Sequence, residues 1–255
     1  VSILPIWPSW IWAVLLAPFI GSFLGVVVTR HDAPAHMLAG RSACGGCGKR
    51  LGAADLVPLL SWLLLRGKCR YCGMSVGLFY PAIELAALAI ALWSATLFSG
   101  LAFWASCGLG WTLLALAVTD LKYFRLPDFL TLPLAAAGLL AAATLDKSSS
   151  ADALAAHALG AVAGYAFVRL LRFIYRAIRG REGMGLGDAK LLAAAGAWVS
   201  WQGLPSVLVI ASLSALAVVL VWRGPKLDPA QRVPFGVFLS LGLWITWLYG
   251  PLTIG

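Results

Sequence analysis

Long apolar runs separated by short polar breaks organise this chain. They cover about 6–28, 79–99, 102–119, 128–145, 153–171, 188–202, 204–222 and 233–250. Most approach the roughly 20 residues an α-helix needs to cross a hydrocarbon core about 30 Å thick. The 188–202 run can be short, because Gly185 and Gly187 break the helix at a membrane surface. The pattern predicts an all-α membrane protein with about eight transmembrane helices and one long polar interval between the first two. The expected organisation is a first transmembrane helix at 1–28, a small cytoplasmic loop domain at 29–78 and a polytopic membrane domain at 79–255. The first run has no basic segment before it and no small-residue cleavage site, so it is expected to remain as a span.

Composition agrees with this class: 61% of residues are hydrophobic, 11% are charged, and the mean hydropathy is +0.90. The formal net charge of +9 raises the question of nucleic-acid binding, but the basic residues are scattered over several short loops, which argues against it. Their distribution is better read as topology. With the N-terminus outside, segments 29–78, 120–127, 172–187 and 223–232 are cytoplasmic, and of the 19 Lys and Arg residues only Lys147 falls on the other side. The expected partner of the surface is therefore membrane lipid. Trp7, Trp10, Trp62, Trp201 and Trp247 near span ends suit an interfacial aromatic belt.

That topology gives meaning to the acidic residues, of which there are only ten. Asp120 ends the third span as it reaches the cytoplasm, and Asp188 begins the sixth as it leaves. Both carboxylates thus lie at one depth on one face. Two carboxyls sharing a site cannot both ionise easily, so such a pair holds one proton, and an ionised partner beside a protonated one suits aspartic-protease chemistry. Gly185 and Gly187, before Asp188, let the backbone unwind and bring a substrate strand close to the carboxylate; Lys190 belongs to the same active-site segment. Membrane-end aspartates also serve as plain ion-pair partners, here for Lys122, Arg125 or Lys190. Glu84, inside the second span, is expected to stay protonated or to pair with a loop Arg or Lys in a structural or binding role. His157 reads as a helix-packing residue, and Cys107 as a small apolar one.

The loop interval carries Cys44-Gly45-Gly46-Cys47 and Cys69-Arg70-Tyr71-Cys72, each followed by glycine. Two such knuckles match a tetrahedral zinc ribbon with four cysteine ligands. Four thiolates close the coordination shell, so the Zn2+ would be structural, holding together a loop with too little core to fold alone. A pair of disulfides or a redox-active Cys-x-x-Cys are the other readings.

Taken together, these residues resemble the type IV prepilin peptidase family, the leader peptidases and N-methyltransferases of bacterial pilus and type II secretion systems. The likeness covers nearly the whole chain. It rests on Gly21-Ser22-Phe23-Leu24, both Cys-x-x-Cys pairs, Leu59-Leu60-Ser61-Trp62, Arg66-Gly67-Lys68-Cys69 and Tyr80-Pro81-Ala82-Ile83-Glu84. It also rests on Asp120 with Leu126-Pro127-Asp128, the run Glu182-Gly183-Met184-Gly185-Leu186-Gly187-Asp188-Ala189-Lys190, and Pro234-Phe235-Gly236. Gly25 departs from the family's usual asparagine. The resemblance implies cleavage of the basic leader of prepilins or pseudopilins after a glycine, at the cytoplasmic face of the inner membrane. It places the family's catalytic aspartates at Asp120 and Asp188, and gives Asp128 no such role. It further implies methylation of the new N-terminus with S-adenosylmethionine, although no Gly-rich nucleotide cradle is visible in the sequence. A proton-coupled transporter or a non-catalytic membrane zinc-ribbon module are the alternatives; the first asks for acids deeper in the spans and an inverted repeat.

Overall fold

A computed structural model describes residues 9–32, 42–145, 150–180, 185–223 and 233–252. The expected positions Lys147, Glu182, Gly183, Met184 and Trp7 lie outside these. The helices are α1 (Ser9–Thr29), α2 (Leu60–Leu64), α3 (Phe79–Leu97), α4 (Gly100–Tyr123), α5 (Asp128–Leu145), α6 (Ser150–Arg179), α7 (Leu186–Arg223) and α8 (Phe235–Tyr249), with a 3-10 turn at Ala53–Asp55. Among the described residues, the only extended pairings are the isolated bridges Ala43–Arg50 and Lys68–Ser75. Among the described residues, six helices are long and apolar enough to cross a membrane, and α8 is a shorter apolar helix. The protein is thus an all-α, multi-pass membrane protein with a cysteine-rich loop between its first two long helices.

The chain divides into two compact units, Val1–Ala115 and Leu116–Gly255. In the first, α1 packs on α3. Gly21 lies against the backbone of Glu84, where a Cβ would stand 2.6 Å from the Glu84 Cα. Glu84 is buried, and its Oε2 accepts the backbone N–H of Leu59 at 2.8 Å, with Ser22 as a second partner. The expected loop Arg or Lys is therefore not what satisfies this carboxylate. A backbone amide does so, at a residue whose φ of 59° is unusual for leucine and marks a tight turn into α2. Gly25 faces the Tyr80 ring, which stands 2.8 Å from the place of a Cβ, so the family's asparagine would need that ring moved. Ala13, Ala17, Ala91, Phe103 and Cys107 form an apolar cluster, which gives Cys107 the packing role expected of it.

In the second unit, specific side-chain and glycine contacts fix the directions of the helices. Lys190 meets Asp128 at the starts of α7 and α5, and Trp198 Nε1 donates to Leu134 O at 2.8 Å, so α5 and the first half of α7 run in the same sense. α6 runs against them, since Gly164 faces Leu192, Gly160 faces Gly196, and His157 reaches Ala197 O at 2.9 Å. A carbonyl only accepts, so His157 donates from Nδ1–H.

α7 itself is two helices merged across a break at Ser200, where φ is 58° and ψ is −180°. Trp198 stacks edge-on against Trp247 of α8, whereas beyond the break Gly203 meets Thr246 and Gly242 meets Val207. The second half of α7 therefore runs antiparallel to α8, and the first half parallel to it. Two crossings are the result, as the two separate runs predicted, but the reversal falls at Ser200 and not at position 203. Trp247 packs edge-on against Trp198. α6 continues to Arg179, past the expected end at 171. Its 30 residues span about 45 Å, so its arginine-bearing last turns project beyond a core of about 30 Å.

Close approach of α6 and α7 leaves no room at Gly160: a Cβ there would lie 2.6 Å from Trp201 N and 2.7 Å from Gly196 O, both backbone atoms. Gly108, in contrast, has nothing within 4 Å of its Cβ position. Thermal unfolding in detergent should therefore separate two identical changes. Gly160→Ala should destabilise by about 1–3 kcal/mol through overpacking, while Gly108→Ala, which only improves helix propensity, should be neutral or slightly stabilising.

Candidate active site and cysteine cluster

The first site is built at the common end of α4, α5, α7 and α8. α4 carries Asp120 almost at its end and stops at Tyr123. Phe124 then adopts φ 54° while its N–H still donates to Asp120 O at 2.9 Å. This turn brings Leu126 back beside Asp120, and Pro127 leads into α5, where a fixed φ suits a helix start.

Asp120 is 5% exposed, and among the described residues its buried Oδ2 has no hydrogen-bond partner. The backbone N–H groups of Gly236 and Val237, in the first turn of α8, face the carboxyl. A helix N-terminus is a favourable place for negative charge, so α8 supports a carboxylate that would otherwise be stranded among apolar helices. The orphaned oxygen matters because buried polar atoms are nearly always satisfied; one that is not marks a group held ready for something else.

Asp188 sits in the first turn of α7, where Oδ2 accepts the Gly185 N–H at 3.1 Å. This is the N3 side chain reaching back to the N-cap amide, which fixes the carboxylate and satisfies one of the helix's open donors. Asp188 and Asp120 lie close enough to repel one another. The structure thus brings together the two aspartates that the topology placed at one depth.

Lys190 does not join them. Its Nζ bonds both oxygens of Asp128, at 2.6 and 2.7 Å, in an exposed pair that links the starts of α7 and α5. Gly185 and Gly187 do line the site. A Cβ on Gly187 would meet Leu126 Cβ at 2.9 Å, and one on Gly236 would meet Asp120 Oδ2 at 2.8 Å. Leu126 and Gly236 are thus site residues to which sequence reasoning gave no role. Their signals were the Leu126-Pro127-Asp128 and Pro234-Phe235-Gly236 runs at the starts of apolar segments.

The second site is the cysteine cluster in the first unit. Its two knuckles share one geometry. Gly48 and Gly73, at φ 67° and 70°, donate to Cys44 O and Cys69 O at 2.9 and 3.0 Å, and the N–H groups of Cys44 and Cys69 return to Lys49 O and Met74 O. A positive φ after each second cysteine explains both glycines. The four Sγ atoms lie within 4.8 Å of one another, with Cys44 and Cys72 3.7 Å apart. Tetrahedral thiolates at about 2.3 Å from zinc stand about 3.8 Å from each other, so the cluster fits that ion. All the cysteines are free thiols, which removes the disulfide reading. Backbone N–H groups of Cys47 and Gly46 lower the Cys44 thiol to about 6, whereas desolvation and the neighbouring cysteines push Cys72 up to about 11, so the cluster's case for a metal rests on its geometry.

Asp55, unnoticed in the sequence, braces the second knuckle. It takes Arg70 Nε at 2.7 Å, the Gly52 N–H at 3.1 Å and the Tyr71 hydroxyl at 3.4 Å. The Gly52 amide, with the Arg70 guanidinium, holds its carboxyl below the usual carboxylate range.

Comparison with known proteins bears on both sites. The model of the type IV leader peptidase family matches residues 107–220, which include Asp120 and Asp188. That of the bacterial peptidase A24 N-terminal domain matches residues 15–98, which include the four cysteines. A protein of Burkholderia pseudomallei (strain 1026b) named prepilin leader peptidase/N-methyltransferase is 40% identical, over 93% of this chain and 84% of its own length. Proteins of the same name from Pectobacterium carotovorum and Aeromonas hydrophila are 36% and 37% identical, covering 92% and 89% of their lengths. No solved structure matches the chain. Identity at this level along most of the length of several relatives, together with both domain matches, means that the chain belongs to the type IV leader peptidase family.

Proposed function

We propose that the protein is a membrane aspartic endopeptidase that removes the leader of prepilins or pseudopilins, with Asp120 and Asp188 as its catalytic pair. The observation that carries this reading is the meeting of two carboxylates at one end of apolar helices, one of them with a buried oxygen that no described residue satisfies. The ionised member takes a proton from water, whose oxygen attacks the scissile carbonyl, while the protonated member gives its proton to the carbonyl oxygen. Collapse of the tetrahedral intermediate breaks the C–N bond, and the proton taken from water passes to the departing amine. Gly185, whose Cβ position meets nothing nearer than Asp188 Oδ2 at 3.3 Å, leaves room for the substrate backbone beside Asp188. Lys190 holds Asp128 and so keeps the mouth of the site in shape.

The active site is placed on the cytoplasmic side of the inner membrane, with the N-terminus outside, on the strength of the lysine and arginine distribution. There a substrate's hydrophobic helix can lie in the bilayer with its basic leader at the anionic surface, so that the junction falls at the depth of the pair. Cys44, Cys47, Cys69 and Cys72 are proposed as ligands of one structural Zn2+, which supplies folding energy to the loop domain and no open coordination position. Methylation of the new N-terminus is proposed as a second activity, supported by the names of the relatives. Among the described residues no strand and Gly-rich turn form a cradle for S-adenosylmethionine. A transporter is disfavoured because Glu84, the acid deepest in a span, is consumed by Leu59 and Ser22.

Asp120→Asn and Asp188→Asn should each lower the cleavage rate by about 10³-fold or more while insertion and purification stay normal, read by a mobility-shift assay on a prepilin with a Gly-Phe junction. Asp128→Asn should keep substantial activity, because an exposed ion pair contributes only about 0–1 kcal/mol. An inactive Asp128→Asn beside an active Asp120→Asn would reverse the assignment. Separately, elemental analysis should find about one zinc per chain, lost when any of the four cysteines becomes serine. Metal-free protein from a zinc-replete preparation would refute the ribbon.

A further inference from the structure

α2 is only five residues long, yet it turns an apolar stripe outward. Leu60, Leu63 and Leu64, at positions i, i+3 and i+4 on one helix face, are 54%, 67% and 73% exposed. Trp62 points back into the loop: its Nε1 donates to Val76 O at 3.1 Å, and its ring lies 3.0 Å from where a Cβ on Gly67 would stand. The stripe is thus held facing away from the loop domain. Clustered exposed leucines of this kind mark an interaction surface.

Depth indicates what meets that surface. α3 is one of the membrane-capable helices, and its 19 residues rise about 28 Å, so nearly its whole length is needed to cross a hydrocarbon core of about 30 Å. Its first residue, Phe79, then stands at the edge of the core, and Glu84, five residues on, stands about 7 Å inside. The N–H of Leu59, the residue that opens α2, meets Glu84 Oε2 at 2.8 Å and so lies at the same depth. Lipid offers a backbone amide no partner there, and the buried carboxylate supplies one.

We propose that α2 is an interfacial element that dips into the bilayer beside α3, with Leu60, Leu63 and Leu64 against lipid acyl chains and Glu84 as the tether that sets its depth. Arg66 and Lys68, exposed just beyond the stripe, suit the headgroup level, where their stems cover apolar surface and their charges reach phosphate. The loop domain is then seated on the membrane through its own leucines as well as through the two helices that flank it. This role needs nothing from the catalytic pair.

The test uses the full chain in vesicles of phosphatidylethanolamine and phosphatidylglycerol, with a fluorescent amino acid in place of Leu63 and two quenchers, a nitroxide on the lipid acyl chain and iodide in the water. The nitroxide should quench the probe strongly and iodide only weakly. Because Leu63 is exposed, the probe should leave the melting temperature of the chain unchanged. Quenching by iodide alone would show water over α2, and quenching by neither would show that protein covers it, as a second copy or a bound prepilin would; either result would overturn the proposal. The tether has its own readout. Glu84→Gln keeps an oxygen acceptor for the Leu59 N–H and should keep the nitroxide quenching, whereas Glu84→Ala should lower it and raise quenching by iodide. Unchanged quenching in Glu84→Ala would show that Glu84 does not set the depth.

Discussion

A carboxylate at the end of an apolar helix is stable only where water, a proton, a cation or a backbone amide reaches it, and this constraint governs both units of the protein. Each acid near a span end meets it differently. Glu84 takes the Leu59 amide and Ser22. Asp128 takes Lys190, and Asp188 takes the N-cap amide of its own helix. Asp120 faces the first-turn amides of α8, and its Oδ2 has no hydrogen-bond partner among the described residues. Glu84 and Asp128 tie helix ends to neighbouring chain, whereas Asp120 and Asp188 meet at one end of their helices, where the proposed chemistry lies.

The same constraint explains why backbone devices crowd the site. A charged or polar group among apolar helices must be aimed within a narrow range, and side-chain packing alone leaves slack. Here the left-handed turn at Phe124, the N-cap at Gly185 and the N-terminus of α8 position the carboxyls through the main chain. In the loop domain, Gly48 and Gly73 shape two like knuckles, while Asp55 ties the second to the turn at Gly52. With little core of its own, such a loop gains order from these bonds and would gain more from the proposed metal.

Much of this was legible in the sequence, because hydropathy and charge act over long windows. The spans, the pairing of Asp120 with Asp188 at one depth, and the four cysteines all follow from composition and spacing. Details set by tertiary contact were not. The reversal in α7 falls at Ser200, since it depends on how Trp198 and His157 are engaged by neighbouring helices and not on the nearby Gly203. The extension of α6 was hidden because its arginines end the apolar run while remaining good helix formers. Leu126 and Gly236 look like ordinary apolar-run residues until their gaps are seen to interlock. For Glu84 only the alternative of a loop Arg or Lys partner fails: the partner is a backbone amide, which has no signature in a sequence.

The central claim is that Asp120 and Asp188 work as one unit holding a single proton. The pH dependence of kcat/KM for glycine-junction cleavage by the wild type tests it most directly. A coupled pair should give a bell, falling on the acid side when both carboxyls are protonated and on the alkaline side when the shared proton is lost, with both limbs belonging to the pair. A profile that rises once and then stays level to alkaline pH, with the enzyme still folded, would contradict the account.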